Sequence, residues 1–179
     1  MWAVVFDAGP LITACRFAVE GRLIVDYIAQ ACYILIAPSV EEEVAVRGAG
    51  YPNGLAAGER IVRGDIQVVP LRTRRWTAHL AGCALGDGER DSIELCAQTN
   101  AEALVTDDYL AFVTATRLGL RAWMLPDLIV QLVRPGGLSA PMAKMMLEVI
   151  RPRYRKGVIE QSMAQLEEVE RDAEGHRAD

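Results

Sequence analysis

Short apolar segments alternate with segments of helical character along most of this chain, and this alternation limits the folds that it can adopt. Five segments are typical of buried strands, at residues 2–6, 32–37, 66–70, 103–106 and 121–124. Strands that alternate with helices favour a parallel sheet covered by helices on both faces. We therefore predict an α/β fold, a three-layer α/β/α sandwich around a central parallel sheet.

The segments between these strands are interpreted as helices. They lie at residues 10–30 (one or two helices, with Gly21 as a break), 39–47, 55–63, 74–84, 89–99 and 108–118. Residues 47–54 are interpreted as a loop because of their glycine content. Right-handed crossovers then place the carboxyl ends of the strands at one edge of the sheet.

The 179 residues are enough for one domain with a sizeable core. We assign the sheet to residues 1–135 and treat residues 136–179 as a helical extension of the same domain. The extension contains a methionine-rich apolar helix at 141–150 and a second helix at 157–171. The methionine stripe is interpreted as core or subunit interface rather than as a ligand site.

The composition excludes several classes of protein. No apolar run approaches the roughly 20 residues of a membrane helix, and the first residues lack a basic leader, so we expect a cytoplasmic protein without membrane contact. The net charge of −5 disfavours a general nucleic-acid coat protein, which would be basic. It leaves room for an enzyme that acts on nucleic acid through a metal and a local basic patch.

Cysteine and histidine give little support to other chemistry. The four cysteines have no CxxC spacing and are interpreted as buried free thiols, with a disulfide or a zinc site as the alternative. His79 and His176 are the only histidines, and nothing near His79 is typical of a nucleophile elbow.

Acidic residues mark the ends of several predicted strands and the start of one helix. The candidates are Asp7, Glu43 (after Glu41 and Glu42), Glu89, and the pair Asp107 and Asp108. Each has a simpler explanation as a helix cap, a first-turn acid or a solvated residue. Together, however, the topology sends them to one edge, where carboxylates repel one another unless protons or a cation intervene. A hard divalent metal is therefore predicted there.

Two of these assignments involve a choice between neighbouring acids. In the helix at 89–99, Glu89 lies on the sheet-facing stripe and Asp91 points the opposite way, so Glu89 is favoured over Asp91 as a site residue. Of Asp107 and Asp108, one is expected to enter the site and the other to cap the next helix. The sequence does not decide which.

At this point the chain resembles the PIN-domain nucleases, and in particular an uncharacterised branch of VapC-like toxin ribonucleases. The resemblance depends on four short motifs in the family's order, which span residues 4 to about 125. They are Val5-Phe6-Asp7-Ala8-Gly9-Pro10-Leu11-Ile12, Ala37-Pro38-Ser39-Val40-Glu41-Glu42-Glu43-Val44, Gly88-Glu89-Arg90-Asp91-Ser92-Ile93-Glu94-Leu95 and Leu104-Val105-Thr106-Asp107-Asp108.

The resemblance implies an endoribonuclease that depends on Mg²⁺ or Mn²⁺ and acts on single-stranded or structured RNA. Asp7, Glu43, Glu89 and one of Asp107 and Asp108 would be its catalytic metal ligands. It further implies the toxin of a toxin–antitoxin pair, a homodimer, and an antitoxin helix bound near the methionine-rich helix or residues 47–54. Gly9 departs from the serine or threonine of many members and removes a hydroxyl from the metal shell.

Two groups of basic residues are candidates for a substrate track, with an ordinary solvated surface as the alternative. They are Arg60, Arg63, Arg72, Arg74 and Arg75, and Arg151, Arg153, Arg155 and Lys156, with Tyr154 placed to stack on a base. Two other functions stay open. The first is a catalytically silent PIN-like module that binds nucleic acid or protein. The second is a receiver-like phosphotransfer fold, disfavoured because Lys144 and Lys156 lie outside the strand pattern.

Overall fold

The computed structural model describes residues 1–134 and 136–175. Its strands are β1 (Ala3–Phe6), β2 (Ala18–Val19), β3 (Arg22–Leu23), β4 (Tyr33–Ile36), β5 (Ile66–Val68), β6 (Ala103–Val105) and β7 (Ala122–Trp123). Its helices are α1 (Ala8–Ala14), α2 (Ile24–Ala31), α3 (Pro38–Glu41), α4 (Pro52–Arg63), α5 (Thr77–Ala81), α6 (Asp87–Thr99), α7 (Tyr109–Arg117), α8 (Leu125–Val133), α9 (Ala140–Ile150) and α10 (Lys156–Gly175). A π-helical turn, Glu42–Val46, continues α3, and a 3₁₀ turn, Arg151–Arg153, follows α9.

Five strands of the described chain form one parallel sheet in the order β5-β4-β1-β6-β7. The central strand β1 pairs with β4 and β6, and Val4, Val5 and Phe6 are fully buried. Such continuous apolar runs are expected for strands that are covered on both faces. All five predicted strands are confirmed, with bounds that are shorter by one or two residues at some ends.

Helices cover the sheet in two groups, which confirms the three-layer α/β/α sandwich. Helix α6 contacts α3 and α7 as well as β1 and β6, whereas α2 packs on α1 and α8. The strand order changes direction at β1. From β1 the chain crosses to β4 and β5 on one side, and later to β6 and β7 on the other side. In open sheets of this kind, ligands bind at the carboxyl ends of the strands beside such a point.

Three parts of the chain differ from the sequence-based expectation. The segment 10–30 contains a small antiparallel hairpin, β2–β3, between α1 and α2, and Gly21 lies in its turn. Helix α8 was not predicted at all, and it contacts β7, α2, α9 and α10. The helix predicted at 74–84 is also shorter, because α5 has only five residues.

The C-terminal helices pack on one another and on elements of the sheet domain. Helices α8, α9 and α10 contact one another, and α9 also contacts the hairpin strand β2. Met146 is fully buried and Met145 is partly exposed, so the predicted packing role of the methionine stripe holds for its inner face. Within the described part of the chain, no helix is long and apolar enough to cross a membrane. Residues 176–179 of the predicted extension, including His176, lie outside the described residues.

Candidate active site

Asp7 lies where the central strand ends and helix α1 begins. Its backbone N–H continues the β1–β6 ladder by donating to the Val105 carbonyl at 2.9 Å. Its side chain is the N-cap of α1, and Oδ1 accepts the Ala8 N–H at 2.8 Å. Asp7 is only 6% exposed. The residue thus fulfils the capping role and still stands at the carboxyl edge of the sheet.

Thr106 fixes the other carboxylate oxygen of Asp7, a role that sequence reasoning missed. The fully buried Thr106 donates its hydroxyl to Asp7 Oδ2 at 2.9 Å and accepts the Asp108 N–H at 3.2 Å. Because Phe6 pairs with Val105, the next residues along the two strands are adjacent. The strand alignment was the signal that could have identified this contact.

The electrostatics of Asp7 separate it from an ordinary helix cap. Burial raises the pKa of its carboxyl from 3.8 to about 6, against the lowering effect of the bonds from Ala8 and Thr106. The negative charges of Glu89 and Glu43 raise that pKa further. Glu43 and Glu89 are therefore each close enough to Asp7 for their charges to repel its carboxylate.

Glu43 reaches Asp7 from the π-helical turn after α3. The turn is closed by the Arg47 N–H, which donates to the Glu42 carbonyl at 2.9 Å, and such turns are frequent at functional sites. A Cβ built on Gly88 would lie 3.6 Å from Glu43 Oε2 and 3.9 Å from Asp7 Oδ1. The bare Cα of Gly88 therefore leaves a gap that both carboxylates face.

Glu89 belongs to the first turn of α6 and folds back on it. Its Oε2 accepts the backbone N–H of Gly86, which is the glutamate half of a capping box, because Gly86 has no side chain to bond in return. Asp91 is directed elsewhere and pairs with Arg74 at 2.8 Å. The structure thus places Glu89, and not Asp91, within electrostatic range of Asp7.

The two acids after β6 have different roles. Asp108 is exposed and caps α7, with Oδ1 accepting the Ala111 N–H at 2.7 Å. Asp107 turns to the C-terminal segment, where its Oδ2 accepts the Tyr154 hydroxyl at 2.8 Å. Burial raises the pKa of Asp107, as does the charge of Asp127, whereas the bond from Tyr154 and the charge of Arg153 lower it. Its other oxygen, Oδ1, is buried without a hydrogen-bond partner among the described residues.

The donor set suits a hard divalent cation, although the described side chains do not yet surround one. Two of the three atoms nearest the gap over Gly88 are carboxylate oxygens, from Glu43 and Asp7, the ligands such ions prefer, and the third is a methyl carbon of Val40. Within residues 1–134 and 136–175, no group of three or more His, Cys, Asp or Glu side chains is placed to hold a metal ion. Asp7 and Glu43 therefore form the core of a candidate site, and Glu89 would have to leave the Gly86 N–H to join them.

Three arginines of the first basic group, which was proposed as a substrate track, form ion pairs within the protein. Arg60 is buried and forms a bidentate pair with Asp26 at 2.8 and 2.7 Å, so its assignment to a substrate track was wrong. Arg63 pairs with Asp65 at 2.7 Å, and Arg74 pairs with Asp91. The buried pair of Arg60 with Asp26 therefore belongs to the fold, whereas Arg63 and Arg74 are exposed residues engaged in surface ion pairs.

Sequence reasoning also missed Glu94, a buried acid of α6. Its carboxylate accepts the backbone N–H groups of Arg75 and Trp76 at 2.7 and 2.8 Å.

All four cysteines are free, and Cys15, Cys32 and Cys96 are buried, as the interpretation as buried thiols predicted. Cys83 is partly exposed.

A family model described as a PIN domain matches residues 3–168. The chain therefore belongs to the PIN-domain family, whose members are typically nucleases and typically use divalent metals. The match extends beyond residue 125 and includes α8, α9 and most of α10.

No curated protein matches the chain. Among solved structures, it is similar to a domain of a functionally unknown protein from Methanocaldococcus jannaschii DSM 2661, with 16% identity and a TM-score of 0.44, over 69% of this chain and 91% of that one. It is also similar to a PilT N-terminus domain protein from the archaeon Sulfolobus solfataricus P2, with 16% identity and a TM-score of 0.46, over 74% and 94%. Both scores lie below 0.5, so the family assignment depends on the sequence match.

Proposed function

We propose that this protein is an endoribonuclease that depends on Mg²⁺ or Mn²⁺ and that Asp7, Glu43 and Glu89 hold the ion. The observation that carries the proposal is the gap over Gly88, which the buried carboxylate of Asp7 and the exposed carboxylate of Glu43 both face. The raised pKa of Asp7 supports it, because a cation would remove the repulsion that contributes to this rise.

The surrounding residues prepare Asp7 for this task. The Ala8 N–H and the Thr106 hydroxyl each bind one oxygen of Asp7, which fixes the plane of the carboxylate. The orientation of a ligand by such outer contacts tunes a metal site. A bound divalent ion would lower the pKa of its water and stabilise charge on the scissile phosphate.

We place Asp107 at the border of the site, and we assign Asp108 to the capping of α7 because its carboxylate is already bonded to the Ala111 N–H. The resemblance to VapC-like proteins supports a role in the cytoplasm as the toxin of a toxin–antitoxin pair, with a homodimer and an antitoxin protein as partners. The exposed side chains of Tyr51, Leu55 and Val62 offer apolar surface for such a contact.

The test is cleavage of mixed RNAs by the purified protein in EDTA, Mg²⁺ or Mn²⁺, beside the variants Asp7→Asn and Glu89→Gln. We expect metal-dependent cutting by the parent and loss of cutting in both variants. Asp87→Asn is the matched control, because Asp87 lies two residues from Glu89 with its side chain 92% exposed. This variant should cut like the parent.

A silent PIN-like binding module is the second candidate. One observation favours it, namely that Glu89 is engaged with the Gly86 N–H, so that the carboxylates nearest the gap among the described residues are those of Asp7 and Glu43. A folded protein that cuts no RNA with either metal, and whose melting temperature does not respond to Mn²⁺, would establish this alternative. Metal-dependent cutting that Asp7→Asn abolishes would exclude it.

A further inference from the structure

A cavity of about 620 Å³ is lined by Asp107 at the sheet edge and by residues of the C-terminal segment. Its walls include Tyr109 from α7, Met124 after β7, and Val158 from α10. Pockets of roughly 300–1,000 Å³ accommodate small organic ligands. The cavity adjoins the candidate active site, because a Cβ built on Gly9, two residues after Asp7, would lie 3.8 Å from the Cβ of Asp107.

An aromatic ring is available at this cavity. Tyr109 is 76% exposed, which is a large exposure for an apolar ring. Tyr154, the residue that the sequence suggested for stacking, is only partly exposed, and its hydroxyl is bonded to Asp107. The ring that can stack on a base is therefore Tyr109, with Met124 and Val158 as apolar neighbours.

Two arginines at the same cavity form no ion pair among the described residues, although the charge of Arg153 acts on the nearby Asp107 and lowers its pKa. Both of them, Arg153 and Arg155, are exposed. Arg151 and Lys156, which flank them in sequence, are instead paired with Glu148 at 2.7 Å and Glu160 at 3.5 Å. The unpaired charge of this segment is thus concentrated at the cavity.

We propose that this cavity binds one nucleotide of single-stranded RNA next to the bond that is cut, with the base on Tyr109 and the flanking phosphates on Arg153 and Arg155. Bases that stack on an aromatic ring and phosphates that meet cations are the recurring contacts of single-stranded nucleic acids. A base in a duplex is stacked on its neighbours, so a pocket for one base selects unpaired strands. The inference rests on the proposed nuclease function and extends it to the substrate's conformation.

The test is binding of a fluorescein-labelled single-stranded RNA by the full chain carrying Asp7→Asn, in EDTA, so that binding is measured without cutting. Two double variants are compared in this background: Arg153→Ala with Arg155→Ala, and Arg151→Ala with Lys156→Ala as the control of equal net charge. We expect the first pair to weaken binding about tenfold and to reduce the salt dependence by about 1.4 in log K against log salt. The control pair should bind within about twofold of its parent.

Tyr109 is tested in the same background. Tyr109→Ala should weaken binding at least about fivefold, and Tyr109→Phe should retain it, because the ring and not the hydroxyl makes the contact. Equal losses in the two double variants, or equal binding of a duplex of the same sequence, would overturn the proposal.

Cleavage by the parent protein separates this proposal from the nuclease assignment. If the parent cuts RNA while the Arg153 and Arg155 variant binds like its control, the cavity proposal fails and the nuclease stands. If no metal gives cutting but binding depends on Tyr109 and these arginines, the cavity proposal stands and the catalytic one fails.

Discussion

Asp7 and Asp107 follow neighbouring strands of one parallel sheet, yet they belong to different electrostatic environments. Burial raises the pKa of both carboxyls. Asp7 faces the acids Glu43 and Glu89, whereas Asp107 accepts the hydroxyl of Tyr154 and lies near Arg153. The first site concentrates negative charge that the proposed cation would neutralise, whereas at the second the protein binds Oδ2 of Asp107 and leaves its buried Oδ1 without a hydrogen-bond partner among the described residues.

The contrast shows that a position at a strand end does not by itself define a metal ligand. The partners that the rest of the chain brings to each carboxylate decide its chemistry. Glu43 lies in the π-helical turn after α3 and Glu89 lies in α6, whereas Tyr154 lies 47 residues after Asp107 in the chain. Asp7 is therefore the residue on which the proposed activity should depend most strongly.

The largest expected difference is in RNA cleavage. Loss of a group that only supports a metal ligand commonly costs about ten- to a hundredfold. We expect Asp7→Asn to lower kcat/KM in Mn²⁺ by more than about a hundredfold, and Asp107→Asn by about tenfold. The measurement is kcat/KM on one RNA substrate, with Mn²⁺ affinity from calorimetry. If both variants lose Mn²⁺ affinity equally, Asp107 must turn away from Tyr154 and bind the ion.

The pH dependence of stability is the next test of the contrast. The pKa of Asp7 is raised from 3.8 to about 6, so the folded state holds this proton more tightly than the unfolded state. The resulting stabilisation is fully present below about pH 4 and is lost as the pH rises through about 6. By about pH 8 the loss amounts to about 3 kcal/mol.

Asp7→Asn should remove this dependence, because asparagine does not titrate and is an equally good N-cap. Urea unfolding should show the variant close to the parent near pH 4 and about 2–3 kcal/mol more stable near pH 8. Asp107→Asn should show a smaller gain, because it also loses the charge-assisted bond from Tyr154. A parent protein whose stability does not fall between these pH values would contradict the assigned charge state of Asp7.

The position of Glu43 can be tested through the packing of its turn on α4. A Cβ on Gly54 would collide with the Gly48 carbonyl and lie 2.8 Å from the Val44 carbonyl oxygen. We expect Gly54→Ala to destabilise the fold by about 1–3 kcal/mol and to lower the Mn²⁺ affinity.

Gly58→Ala in the same helix is the control, since its Cβ would make an ordinary contact at 3.9 Å with Ala45. It should stabilise the protein by about 0.5–1 kcal/mol and leave the Mn²⁺ affinity unchanged. Thermal and urea unfolding of both variants, followed by calorimetry, provide the comparison. Equal effects of the two substitutions would show that Glu43 does not depend on this contact.

The strands of the sheet could be predicted because each is a local run of apolar residues. The β2–β3 hairpin and helix α8 have no such local pattern. The strands β2 and β3 have two residues each, too few for a period, and their turn places Glu20 and Gly21 at φ 51° and 75°. Glutamate is unusual at positive φ, so the turn was not recognisable. Helix α8, Leu125–Val133, is buried on several sides and lacks the polar face that identifies a surface helix.

The residues of the candidate site could likewise be predicted only where the sequence pattern around them is local. Asp7 and Glu89 could be located because they follow a strand or open a helix, which are local patterns. The hydroxyl of Thr106 bonds to a side chain 99 residues away, and its role depends on the register between β1 and β6. The bond from Tyr154 to Asp107 depends on how the C-terminal helices pack, which no single segment specifies.

The hydrogen bond from Tyr154 to Asp107 gives the smallest expected effect, and it tests the environment of Asp107 most directly. Tyr154→Phe removes the hydroxyl that donates to Asp107 Oδ2, and we expect a loss of about 1–2 kcal/mol in the free energy of unfolding. Gly9→Ser offers a replacement, because a Cβ on Gly9 would lie 4.0 Å from the same oxygen, with room for a hydroxyl between them.

A double-mutant cycle separates this replacement from the general preference of a helix for serine over glycine. Gly9→Ser should stabilise the Tyr154→Phe protein by about 1 kcal/mol more than it stabilises the parent, whose Asp107 already has a donor. Both energies come from urea unfolding at one pH above the titration of Asp107. Equal stabilisation in the two backgrounds would mean that the introduced serine acts only through the helix and that Asp107 does not need the Tyr154 hydroxyl. Unequal stabilisation would identify Asp107 as a carboxylate that the fold itself must compensate, in contrast to Asp7, which is left for a cation.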